Sequence, residues 1–162
     1  MSDDYRFRPR TGGCQCGAVR FRAEQLHDNP HVCYCRMCQK AVGNLFAALV
    51  GVRHEHLAWT RGTAAEFMSS DLAARGFCRD CGTPLYYRSV GGEWVSFTIG
   101  AFDEPHFIPI LHQFGTEGRH PAMPGLPDAE DGGVTGADGD DIAAIAASNH
   151  QHPDHDTPRW PE

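Results

Sequence analysis

Short stretches of alternating apolar and polar side chains, each closed by Gly, Pro, Asn or Asp, fill the first two thirds of the chain and predict strands far more than helices. Residues 18–23 alternate around Val19 and Phe21, which predicts a half-buried strand with Arg20 and Arg22 facing outward. NLFAALVGV (44–52) is apolar and bounded by glycine, the pattern of a buried strand. Residues 56–62 and 64–70 read as two strands around a Gly-containing turn, and 85–88 starts another. The clearest alternation is GGEWVSFTIGAF (91–102), with Trp94, Ser96 and Thr98 on one side and Val95, Phe97 and Ile99 on the other. DEPHFIPILHQF (103–114) is broken by proline and predicts an extended segment covering the sheet. Within this region the helix signal begins near Arg36 and stops at Gly43.

From Gly115 the pattern fades into Gly, Pro and Asp with little to bury, which predicts a flexible tail. A short helix is expected over 141–150, capped by Asp140 or Asp141. The chain therefore divides into a domain over 11–114 and an acidic tail over 115–162. Charge follows the same division: of the net −7, residues 117–162 carry ten acids against two arginines, so the rest is close to neutral. Without a basic stripe the chain is not built to hold nucleic acid. No apolar run approaches the roughly 20 residues that span a bilayer, and the opening MSDDYRFRPRTGG lacks the apolar core of a secretory signal. A cytoplasmic protein is expected, its thiols kept reduced.

The seven cysteines carry the chemistry. Cys14 and Cys16, followed by Gly17, pair naturally with Cys78 and Cys81, followed by Gly82. Two knuckles far apart in sequence make a four-thiolate zinc site, closed and therefore structural. A metal-binding turn brings backbone N–H groups towards the sulfurs and favours positive φ just after the ligand, which glycine adopts freely. Cys33, Cys35 and Cys38 crowd three thiols into six positions, too close for an unstrained disulfide framework. They suit a second zinc, and two readings stay open. His31 or a distant residue closes the site structurally, or the fourth position is exchangeable and takes a substrate thiol as nucleophilic thiolate. Histidines elsewhere carry less: His54 and His56 suit a solvated turn, His112 suits either an interior position or a ligand, and the tail histidines receive no role. Ser69, Ser70 and Arg75 flank the Cys78 knuckle and suit a carboxylate or a plain polar turn.

GGCQCGAVRF, CYCRMCQKAVGNLF and SSDLAARGFCRDCGTPL, with the order and spacing of all seven cysteines, resemble the glutathione-dependent formaldehyde-activating enzyme (Gfa, or centromere-protein-V-type) family over about residues 11–112. The resemblance implies a mainly β, Mss4-like, zinc-stabilised sheet domain. It implies structural zinc at Cys14, Cys16, Cys78 and Cys81 and catalytic zinc at Cys33, Cys35 and Cys38. It also implies a carbon–sulfur lyase reaction joining glutathione and formaldehyde as S-hydroxymethylglutathione. Tyr34 stands where many members have His. The alternative from another class is a non-catalytic zinc-stabilised module with both sites closed, binding a protein partner.

Overall fold

Alternation along one central strand sets the layering. In a computed structural model, which describes residues 4–134 and 140–160, β4 (Ala47–Arg53) sends Val50 and Val52 to one face and Ala47 and Leu49 to the other. The first face meets Val95 and Phe97 of β9 (Trp94–Thr98) and the rings of Phe21 and Phe102. Phe21 and Phe97 lie with centroids 4.2 Å apart, and Phe102 meets Phe21 edge-on at 5.1 Å. Each such buried ring contributes about 2–3 kcal/mol of apolar burial. The second face carries the short helix α2 (Arg36–Val42).

Before these elements come α1 (Asp4–Phe7), β1 (Arg10–Gly13), β2 (Arg20–Ala23) and β3 (His31–Cys33). After β4 come β5 (Leu57–Arg61), β6 (Ala65–Ser70), β7 (Ala73–Phe77) and β8 (Pro84–Ser89); β10 (His112–Phe114) follows β9. The sheets are a three-stranded one, β1-β2-β5, and a seven-stranded one, β10-β3-β4-β9-β8-β7-β6. All pairs are antiparallel except β10 on β3. The fold is mainly β, as expected. Helix α2 starts and stops where the sequence predicts, ending on Gly43 at φ 63°.

Four details differ from expectation. Arg20 does not face outward. The β2–β5 register shifts between Arg20 and Phe21, so both side chains are buried in succession, and Arg20 is 3% exposed. Its guanidinium grips Asp103 through two bonds of 2.8 and 2.6 Å and reaches Asp156 at 2.8 Å. Segment 103–114 is only partly a cover, because His112–Phe114 joins the sheet edge as β10. Strand β7 was not foreseen, since AARGF is short and interrupted by Arg and Gly. Nor was β1, whose Gly12 and Gly13 pair with Phe21 and Arg20.

Beyond Gly118, residues 123–128 form a turn of 3-10 helix and α3 spans Asp140–Ala147. The side chains of Asp140 and Asp141, its expected caps, lie outside the described residues. Residues 151–160 then return to the three-stranded sheet as a strap. The His152 N–H donates to the Gln15 carbonyl at 2.7 Å, Arg61 donates to Gly17 O and Thr157 O, and Asp156 meets Arg20. His152, given no role from the sequence, is 7% exposed and packs against Trp160.

Candidate functional site

Cys14 and Cys16 leave the end of β1, and Cys78 and Cys81 leave the end of β7, so each knuckle belongs to a different sheet. Their four Sγ atoms lie within 4.8 Å of one another, with Cys14–Cys16 at 3.6 Å and Cys16–Cys78 at 3.8 Å. A tetrahedron with zinc–sulfur bonds of about 2.3 Å has edges of about 3.8 Å, so these donors fit that metal. Gly17 and Gly82 hold φ 73° and 78°, the left-handed turns expected behind a ligand pair. The Val19 N–H donates to Cys14 Sγ at 3.3 Å, as such a turn should.

Cys33, at the end of β3, pairs with Ala47 of β4, Cys35 caps α2 and Cys38 lies on that helix's inner face. Their Sγ atoms also lie within 4.8 Å of one another. The Cys38 N–H donates to Cys35 Sγ at 3.4 Å. Among the described residues, no fourth His, Cys, Asp or Glu joins this group. His31 does not close it: its Nδ1 lies 2.7 Å from the Asn29 carbonyl and its ring meets Phe114. His112 is exposed on β10 and belongs to neither cysteine group, and His54 and His56 lie in a 3-10 turn.

Each group sets its thiols against one another. Burial pushes Cys16 and Cys33 up to about 12. Burial also opposes ionisation of Cys81, yet the Thr83 hydroxyl and the N–H groups of Thr83 and Cys16 outweigh it and bring the thiol down to about 6. Cys35 is likewise lowered, its burial outweighed by hydrogen bonds led by the Cys38 N–H. Thiols so crowded cannot all ionise without a cation among them, which is the chemistry of a soft divalent metal site.

Beside the triplet the sheet carries an unforeseen row. Register places Phe67 of β6, Arg75 of β7 and Tyr87 of β8 side by side. The Arg75 guanidinium lies over the Tyr87 ring at 5.2 Å and donates to Cys38 Sγ at 3.5 Å. This row lines a cavity of about 440 Å³ together with Met37, Lys40 and Val42 of α2. Arg75 thus reaches the triplet, whereas the Ser69 hydroxyl donates to Ala73 O at 3.3 Å and Ser70 Oγ accepts the Leu72 N–H, the plain polar turn that was one of the two expectations for this stretch. Phe67, Ser69, Arg75 and Phe77 alternate on β6 and β7, a signal readable only once β7 is recognised as a strand. Tyr34, buried, donates its hydroxyl to Gln113 at 3.1 Å and so ties β10 to the triplet loop.

Comparison with known proteins agrees with this arrangement. An uncharacterized lyase of Schizosaccharomyces pombe is 27% identical over 82 residues, which cover 51% of this chain and 59% of that protein. The chain thus spans about three fifths of the length of this relative. The crystal structure of a Rhodobacter sphaeroides protein, 22% identical, superposes with a TM-score of 0.51 over 64% of this chain and 98% of that one, a likeness of fold. The profile described as glutathione-dependent formaldehyde-activating enzyme matches residues 9–117, a span that contains both cysteine groups. With two thirds of its length inside that match, the chain belongs to the glutathione-dependent formaldehyde-activating enzyme family.

Proposed function

We propose that the chain is a carbon–sulfur lyase of the family's type, joining a low-molecular-weight thiol such as glutathione to a small aldehyde, or reversing that addition. Cys33, Cys35 and Cys38 would hold the catalytic zinc, and Cys14, Cys16, Cys78 and Cys81 the structural one. When bound at the triplet, zinc supplies a Lewis acid that favours the thiolate form of a fourth sulfur ligand at neutral pH. The observation that carries the reading is the triplet itself, three convergent thiols with no fourth protein donor among the described residues, linked through Arg75 to a neighbouring cavity. The family match and the lyase-named relative support it.

The chain's own groups have definable tasks. Arg75 places a positive charge on Cys38, offsetting part of the negative charge that three thiolates concentrate. The Cys35 cap fixes the first turn of α2 and so the separation of Cys35 from Cys38. Tyr34, through Gln113, holds the β10 end against the triplet loop, where the Tyr34 N–H also donates to Phe114 O at 2.9 Å. Leu49 and Ala47 pack under Cys38 and exclude water from its inner side.

Metal content and thiol response test the reading. Purified chain in thiol-free buffer is expected to carry two zinc ions, and after cobalt substitution glutathione should alter the sulfur-to-metal absorption of one site only. Cys33→Ser should hold one ion, stay folded and lose the glutathione response. Two ions that exchange slowly and ignore glutathione would instead favour the non-catalytic binding module.

A further inference from the structure

The strap over 151–160 lies beyond the span that the family profile matches, yet it packs on the first cysteine group. That group has an inner and an outer side. Cys78 is fully buried and Cys14 nearly so, whereas Cys16 and Cys81 are only partly covered, so a competing donor reaches the sulfurs from the side of Cys16 and Cys81. The strap sits on that side. An added Cβ on Gly17, the residue after Cys16, would collide with the His152 ring and come within 2.7 Å of Trp160 Cδ1. Beside the group, a cleft of about 490 Å³ is lined by Cys14, Cys81 and Thr83 together with Gln151, His152 and Asp154 of the strap. One peptide joins the strap to both knuckles. The Gln15 carbonyl, between Cys14 and Cys16, accepts the His152 N–H at 2.7 Å, and the Gln15 N–H donates to Thr83 Oγ1 at 3.0 Å. Thr83 Oγ1 lies 3.1 Å from Cys81 Sγ, and its hydroxyl donates to that sulfur in the thiolate form.

We propose that the strap is a kinetic latch on the metal of the Cys14, Cys16, Cys78 and Cys81 group. Docked, it slows transfer of that metal to outside donors; undocked, it leaves the four ligands in place and lets the 14–17 turn open. This rests on the assignment of zinc to the group and adds control of exchange to its structural role. Transfer is ligand substitution: a donor of the incoming chelator bonds the metal as each thiolate leaves and takes a proton from solvent, with no change of oxidation state. A thiolate leaves only if its turn swings outward. Here that swing breaks the Gln15–His152 bond and pulls on Arg61, which donates to both Gly17 O and Thr157 O, while Arg20 anchors Asp156.

The experiment uses full-length Cys33→Ser protein, expected to hold one ion, so that transfer is read from the first group alone. Zinc passing to the chromogenic chelator 4-(2-pyridylazo)resorcinol is followed by absorbance. Adding His152→Ala and Trp160→Ala together removes the ring bonds to Thr157 and Arg61 and the packing on Gly17. This should speed transfer at least about ten-fold while the protein still binds one zinc per chain. Ile145→Ser, at an exposed position of α3 outside the strap, should leave the rate at its parent value. The global unfolding rate, measured in urea and extrapolated to the same buffer, separates a latch from a weaker fold: the accelerated transfer should depend on chelator concentration and exceed that rate. Unchanged transfer in the strap variant, transfer that equals global unfolding in every protein, or equal acceleration by Ile145→Ser would each overturn the latch. Cys33→Ser protein that binds no ion would overturn the metal assignment itself, and the latch with it.

Discussion

Arg20 shows how much one side chain can hold. With 4% of its side chain exposed it bonds Asp103, itself 7% exposed, and so links β2 to the segment after β9. Arg20→Met should destabilise the fold by about 3 kcal/mol or more, because the buried Asp103 carboxylate would lose its counter-charge and keep only the Thr11 hydroxyl. Replacing both, as R20M/D103L, should recover most of that loss; urea unfolding of the three proteins checks both statements. Glu66 gives a pH-dependent counterpart. Its carboxyl is held below the ordinary range, first by the Arg88 guanidinium and also by the Tyr86 hydroxyl. The stability it lends is present above the unfolded value of about 4.3 and is lost as pH falls through its lower folded value. Glu66→Gln should flatten that limb of the stability profile. Neither partnership could be read from residue order: Arg20 finds acids 83 and 136 positions away, while its own alternation points outward.

Strand patterns fared better in β9, where burial on one face imposes the period of two, and in β4, where burial on both faces leaves an unbroken apolar run. β1 and β7 escaped because Gly12, Gly13 and Gly76 contribute no side chain to the pattern, although tertiary pairing still makes them strands. The strap over 151–160 is the element with least warning, since its partners lie on β2, β5 and the first knuckle. His152 is its hinge pin. Its Nε2 lies 3.0 Å from the Thr157 hydroxyl and 3.3 Å from Arg61 Nη1, and its Nδ1 2.7 Å from the Pro153 carbonyl, a set that suits the neutral ring with Nδ1–H. Burial first, then the positive charges of Arg20 and Arg61, outweigh the opposing bond to the Pro153 carbonyl and the charge of Asp103 and hold its pKa below the ordinary 6.5. Docking should therefore be complete above about pH 6.5 and weaken as pH falls through the lower folded value. The Trp160 indole N–H resonance, followed against pH, reads this directly; His152→Gln should remove most of the pH dependence. Truncation after Ala147 should cost about 2 kcal/mol or more through loss of the Arg20 and Arg61 bonds.

At the scale of the whole molecule, the Cys14, Cys16, Cys78 and Cys81 group joins the two sheets at one end, as their common core joins them through the middle. A metal there binds the folded state, so chelation should lower the melting temperature of the entire chain in one transition. Cys81→Ala should do the same, whereas Cys33→Ser should leave melting within a few degrees of the parent; unchanged melting in C81A would sink the structural assignment. The convergence of these four thiols was legible in the sequence because thiolate spacing is set by coordination geometry, which needs few residues and little context. The cavity's character was not, because it arises from a row across three strands whose register no single segment encodes. The strap carries one more consequence. Held by the chain that leads to it, it behaves as a peptide ligand at an effective concentration on the order of millimolar. A cut at the exposed Gly132–Gly133 bond would turn that ligand into a free competitor, and a synthetic copy of residues 148–160 would then compete for the same groove. The truncated protein and this peptide would thus form a split pair whose reassembly reports, in trans, on the folding of the first cysteine knuckle.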